Sequence, residues 1–251
     1  MTLPNTLRRL AAALLISAPA LAPLSAAHAA TNDDPGRDGP RVRLTADDVR
    51  QSNEKVAAAY SALVDMWSKA FTQIGERFAA PRIARYTGGA RTACGVIGPN
   101  NAQYCANANT IYYDEGFVAG MGKVAASSLG TDGDMASVGI IAHEMGHAVA
   151  MQLGYRSRDS YTNESTADCL AGAFTQQSDR DGYLEKGDVE EAFYGMSLAG
   201  DPTPEPTGDA RYDAMIQARL ARQSHGTKDQ RMANFRTGLE GGAKACLSDF
   251  R

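Results

Sequence analysis

The sequence is poor in the features that would point to several common functions. Basic residues do not dominate: 25 Lys and Arg stand against 29 Asp and Glu, for a formal net charge of -4. No basic patch stands out, which argues against a nucleic-acid footprint or an anionic membrane surface. Internal repeats, heptad arrays, nucleotide-binding glycine loops and nucleophile elbows are missing, and Gly241-Gly-Ala-Lys244 lacks the spacing of a phosphate loop. The four cysteines include no C-x-x-C pair, so thiolate zinc ligation has little support. The apolar stretch Leu10 to Leu24 is too short, and too broken by Pro19 and Pro23, for a good membrane span. Histidine is scarce, with four in 251 residues, so any regular pattern of histidines carries information.

Such a pattern is present. Gly139 to Leu153 contains His143-Glu144-Met-Gly-His147 within an apolar run of helical period. Residues four apart share a helix face, so His143 and His147 can present two imidazoles to one ion, with Glu144 one step round to reach a water on it. Ile140, Ile141, Val149 and Leu153 would hold the helix in a core. The competing reading is an amphipathic helix with two surface histidines.

The amino terminus reads as an export signal: Arg8 and Arg9, the apolar stretch, then Ala27-His28-Ala29 as a cleavage site, with the cut after Ala29. Residues 30–43 follow as a polar, Gly- and Pro-punctuated linker, and 44–251 as one domain. An exported chain with an even number of cysteines is expected to form disulfides. Of the three pairings, Cys94 with Cys105 closes a short Gly/Pro/Asn loop, and Cys169 with Cys246 ties the carboxyl terminus to the middle; these two are favoured.

Along the domain, Thr45 to Asp48 is a capping box before a long helix with Val56, Leu63, Trp67 and Phe71 at helical spacing, ending before Pro81. Short strands are expected at Ile83 to Tyr86 and Thr110 to Asp114. Ile111, Tyr112 and Tyr113 of the latter are a candidate sheet edge for an extended peptide, or else an ordinary half-buried strand. Helices are expected over Phe117 to Leu129, from Asp134, over Glu164 to Phe174, behind a second capping box at Asp188 to Glu191, over Tyr212 to Arg222, and behind a third box at Thr227 to Gln230. Gln177 to Asp188 approaches a calcium loop but lacks the bidentate Glu at its last position, which leaves calcium a secondary candidate.

A catalytic zinc keeps three protein ligands and leaves one position to water. Glu164, the first acid on the next helix, is the preferred third ligand, against a plain helix-start carboxylate. Asp168, one turn on, could accept the free ring N–H of a zinc-bound histidine, or be a surface acid. Glu144 would be general base and His225 a donor to the oxyanion, the latter weighed against a loop histidine beside a helix cap.

The segments H-E-M-G-H at 143–147, E-S-T-A-D-C-L-A-G at 164–172, T-A-C-G at 92–95, Y-C at 104–105, I-Y-Y-D at 111–114, G-D-V-E-E-A at 187–192, S-H-G at 224–226 and Cys246 together resemble the neutral zinc metallopeptidase family of bacteria. The likeness runs over roughly residues 80 to 250. It implies an α+β zincin-like domain, a small sheet packed on an active-site helix with further C-terminal helices. It also implies His143, His147 and Glu164 as ligands of one zinc, Glu144 as base and Asp168 as the acid after the third ligand. Three positions depart from the family pattern: Ala148 stands where a second histidine is common, and Ser165 and Thr166 are smaller than usual. The expectation is an exported zinc metallopeptidase acting on peptide or protein substrates. Its alternatives are a non-catalytic zinc-binding or interaction protein and an amidase acting on cell-wall peptides.

Overall fold

In the computed structural model, which describes residues 42–201, 204–223 and 225–247, Thr45 opens the first helix by reciprocal capping. Its amide donates to Asp48 Oδ2 (2.7 Å), and the Asp48 amide donates to Thr45 Oγ1 (3.2 Å). Helix α1 (Ala46–Gln73) buries Val56, Leu63, Trp67 and Phe71 on one stripe, as their spacing predicts. The signal segment 1–29 and residues 30–41 of the linker lie outside the described residues.

After α1 come five short strands: β1 (Arg82–Tyr86), β2 (Ala90–Thr92), β3 (Gly95–Ile97), β4 (Ala102–Cys105) and β5 (Thr110–Asp114). The last pairs in parallel with β1 and antiparallel with β4, giving the order β1-β5-β4, while β2 and β3 form a separate hairpin. One sequence expectation is therefore corrected. Ile111, Tyr112 and Tyr113 are in the middle of the sheet with partners on both sides, so the edge reading fails and the buried-strand reading holds; β1 and β4 are the edges. The Cys94–Cys105 disulfide joins the β2–β3 turn to the end of β4.

The chain then becomes helical. Asp114 caps α2 (Glu115–Leu129), and α3 (Asp134–Gln152), which carries His143 and His147, is buried along most of its length. Helix α4 (Ser160–Arg180) starts before the predicted helix and runs past it. Then come α5 (Asp188–Leu198), α6 (Ala210–Gln223), α7 (Lys228–Gly241) and the single turn α8 (Ala243–Cys246). The Thr227–Gln230 box caps α7 as predicted, and Cys169–Cys246 ties α4 to α8. The architecture is α+β: a small sheet beside a helical body, with α3 packed against α1, α2, α4, α5 and β4. Among the described residues no helix is long and apolar enough to cross a membrane.

Close backbone contact decides where α4 sits. A Cβ on Gly146, inside the H-E-M-G-H segment, would lie 2.8 Å from the carbonyl oxygen of Ala167 and 3.2 Å from Leu170 Cβ. Only glycine lets α4 approach α3 this closely. Gly172 and Gly238 do the same between α4 and α7, where an added methyl would overlap the backbone of the facing helix.

The amino-terminal end of α3 shows a second correction. Glu191 does not close a capping box on its own helix; α5 is capped by Gly187 without a side-chain bond. The fully buried Glu191 carboxylate instead accepts from the amides of Gly133 (2.8 Å) and Met135 (2.9 Å), two groups that α3 leaves without a helical partner. The calcium-like loop does not form either, because residues 177–180 are the last turn of α4. Asp188 clusters instead with Asp132, Asp134 and Glu191, and Lys55 bridges Asp132 and Asp134.

Candidate metal centre

The helical period of α3 turns His143 and His147 to one side, and the approach allowed by Gly146 brings Glu164 of α4 in front of them. His143 Nε2 lies 3.1 Å from Glu164 Oε2 and 3.2 Å from His147 Nε2; His147 Nε2 lies 3.5 Å from Glu164 Oε2. Three donors bound tetrahedrally to one zinc at ordinary bond lengths stand about 3.3 Å apart. The triangle therefore fits a zinc ion in size, and its two imidazoles and one carboxylate fit it in chemistry.

Behind the triangle, His143 Nδ1 is 2.8 Å from Asp168 Oδ1, so an Nδ1–H donor leaves the Nε2 lone pair facing His147 and Glu164. Asp168 is 0% exposed, which rules out the surface-acid reading. Its second partner, Arg231 of α7, has no counterpart in the sequence expectations. Nη2 and Nε of Arg231 grip the carboxylate at 2.6 and 3.1 Å, and Nη1 donates to the Ala199 carbonyl at 2.9 Å. The signal for it was an arginine in the apolar stripe Arg231, Phe235, Leu239 of an otherwise ordinary helix.

Glu144 leaves α3 on the side of the sheet, where its Oε2 accepts the amide of Tyr104 in β4 at 2.6 Å. His143, Glu144, His147 and Glu164 line a cleft of about 490 Å³, walled on one side by Asn100 to Tyr104. His225 lines it too. Its imidazole is 62% exposed, with Nδ1 3.5 Å from Asp201 Oδ1 and its amide donating to Asp201 Oδ2 at 2.7 Å. Ile111, Tyr112 and Tyr113 do not line this cleft.

The charges are strongly coupled. Burial works against the charged form of His143, but the hydrogen bonds it donates to Asp168 and Glu164 outweigh it and push its pKa up to about 10 in the metal-free chain. Burial likewise opposes ionisation of Glu164, and its bonds to His143 and His147 override this, holding it well below the usual carboxylate range. Asp168 is lowered against its burial by His143 and Arg231. With His143 neutral, as a metal ligand must be, the carboxylates of Glu144, Glu164 and Asp168 outnumber the Arg231 guanidinium beside them, and a divalent cation would offset that excess; Asp201 and Arg156, which also line the cleft, are of opposite sign.

The family model described as "Putative neutral zinc metallopeptidase" matches residues 30–250. "Uncharacterized protein YpfJ" of Escherichia coli (strain K12) is 32% identical over 224 residues, covering 79% of this chain and 73% of the relative. The protein of the same name from Escherichia coli O6:H1 gives the same figures. No solved structure matches the chain. A family match over nearly all of the domain, and relatives at this identity and coverage, place the chain: it belongs to the neutral zinc metallopeptidase family.

Proposed function

We propose that the chain is an exported zinc peptidase that cleaves peptide bonds with Glu144 as general base. The observation that carries this reading is the triangle of His143 Nε2, His147 Nε2 and Glu164 Oε2 on the wall of a cleft, with the Glu144 carboxylate beside it. Zinc held by those three residues would supply a Lewis acid that makes a water molecule more acidic and polarises the scissile carbonyl. Glu144 takes the proton of that water and delivers it to the departing amine. The Tyr104 amide holds one of its oxygens, which fixes the base against β4. Asp168 keeps His143 in the tautomer that offers Nε2. His225, turned by Asp201 at the rim, is the donor we assign to the carbonyl oxygen as it gains charge.

Substrate would lie along β4, whose residues 102–104 border the cleft and whose outer side has no strand neighbour among the described residues. An extended peptide can pair with such an edge through its backbone, which selects a chain of peptide bonds before any side chain is read. Export is supported by the two disulfides, which suit an oxidising compartment, and by the signal pattern at residues 1–29.

The test is digestion of a proteome-derived peptide library by zinc-loaded wild type and Glu144→Gln. Cleavage by the wild type alone is expected. Equal cleavage by both, or none by a wild type with a full equivalent of zinc, rejects the peptidase reading; the second result favours a zinc-binding protein without turnover. Cleavage confined to cell-wall peptides in a parallel digest would make it an amidase.

A further inference from the structure

Arg231 enters the protein from the first turn of α7 and is only 5% exposed. Withdrawing a guanidinium and a carboxylate from water is costly, and their attraction offsets that cost only when the geometry is good and every donor is used. Here it is good. Nε and Nη2 make a two-pronged grip on Asp168 and Nη1 reaches the Ala199 carbonyl; Nη2 also stands 3.2 Å from His143 Nδ1, where the two nitrogens are both donors to the shared Asp168 Oδ1 and not to each other.

The pair is not needed to join its helices. α4 and α7 already meet backbone to backbone at Gly172 and Gly238, with Phe235 fully buried in the core. What the pair adds is orientation. Asp168 Oδ1 is shared: it meets His143 Nδ1 at 2.8 Å and Arg231 Nη2 at 2.6 Å. A planar fork fixes the plane of a carboxylate, and a carboxylate fixed in its plane holds the imidazole bonded to it. With Nδ1 so held, the opposite ring nitrogen points at His147 and Glu164.

We propose that Arg231 is a positioning residue of the metal centre, holding Asp168 and through it the His143 ring in the orientation that presents Nε2 to zinc. This rests on the metal reading above. It assigns to α7 a share in metal affinity although α7 contributes no ligand.

The test measures zinc affinity of the purified full-length protein by competition with a chromophoric chelator, together with the visible spectrum after loading with Co2+. Four proteins are compared: wild type, His147→Ala, Arg231→Lys, and the double variant Arg231→Met with Asp168→Asn. Lysine keeps the buried positive charge and loses the fork; it should weaken zinc binding by about 10- to 100-fold and alter the cobalt bands. The double variant removes both charges together, so no unpaired carboxylate is left to unfold the chain, and it should weaken binding at least as much. Should the lysine protein not fold, this variant still tests the Asp168–Arg231 arm as a whole, and unchanged zinc affinity in it overturns the proposal. A wild type without stoichiometric zinc, or one whose affinity survives His147→Ala, rejects the metal centre itself. A wild type that binds zinc, beside folded Arg231 variants with the same affinity and the same cobalt spectrum, makes Arg231 a scaffold ion pair and overturns the proposal.

Discussion

The amide of Tyr104 donates to Oε2 of Glu144 across 2.6 Å, so the edge strand of the sheet and the carboxylate assigned as base are directly joined. Glu144→Gln keeps the size and one acceptor while removing the proton-accepting charge. Peptide cleavage should fall by about a hundred- to ten-thousand-fold with the zinc content unchanged. Metal analysis alongside the rate measurement checks this; loss of zinc together with activity would mean that Glu144 supports the ion instead.

Gly146 sets the distance between α3 and α4. Gly146→Ala puts a methyl 2.8 Å from the Ala167 carbonyl oxygen, so α4 must move and Glu164 with it. A stability loss of about 1–3 kcal/mol is expected, measured by urea unfolding, with zinc affinity lowered in the protein that folds. An alanine variant with unchanged affinity would show that Glu164 does not depend on this contact.

Glu191 stabilises α3 from a distance in sequence. Replacing it with alanine leaves the Gly133 and Met135 amides without their acceptor, and about 3 kcal/mol of stability should be lost. Glutamine should restore part of it by accepting from one amide. Equal stability of Glu191→Ala and wild type in denaturant would show that water satisfies those amides.

Zinc affinity should rise with pH. The metal-free, folded chain holds a proton on His143 up to about pH 10, against an ordinary value of 6.5, and zinc must displace it. Between those values the apparent affinity should increase about tenfold per pH unit, as chelator competition at a series of pH values would show. The stability of the metal-free protein should run the opposite way. A raised histidine pKa contributes stability fully below about pH 6.5 and loses it as the pH climbs through about 10. A flat affinity profile would contradict the protonated His143.

Removing the Cys94–Cys105 bond by a double serine substitution should cost about 3 kcal/mol and loosen β4, reducing cleavage more than zinc binding. A protein with wild-type rates and reduced stability would place the disulfide outside the substrate path.

What could be read from the sequence was what local rules decide. His143 and His147 share a face because a helix repeats every 3.6 residues, Thr45 and Thr227 cap their own helices, and a short loop favours Cys94 with Cys105. The two disulfides pair as their spacing suggested. Partners remote in sequence escaped. Ile111 to Tyr113 has the composition of a strand but carries no sign of which strands flank it, so composition alone leaves open whether it is an edge or a buried strand. Glu191 has the spacing of a local cap, yet the bare amino end of α3 competes for the same carboxylate and wins. Arg231 was hidden for the same reason: its meaning lies in Asp168, which reaches it only when α7 folds back on α4.

The contact of Gly172 and Gly238 has a mechanical side. Helices that meet backbone to backbone have no layer of side chains to yield between them, so α4 and α7 shift together or hardly at all. Glu164 and Asp168 ride on the first of these helices and Arg231 on the second. A displacement of α4 therefore takes α7 with it, so the carboxylate and its guanidinium keep their register beneath the His143 ring of α3.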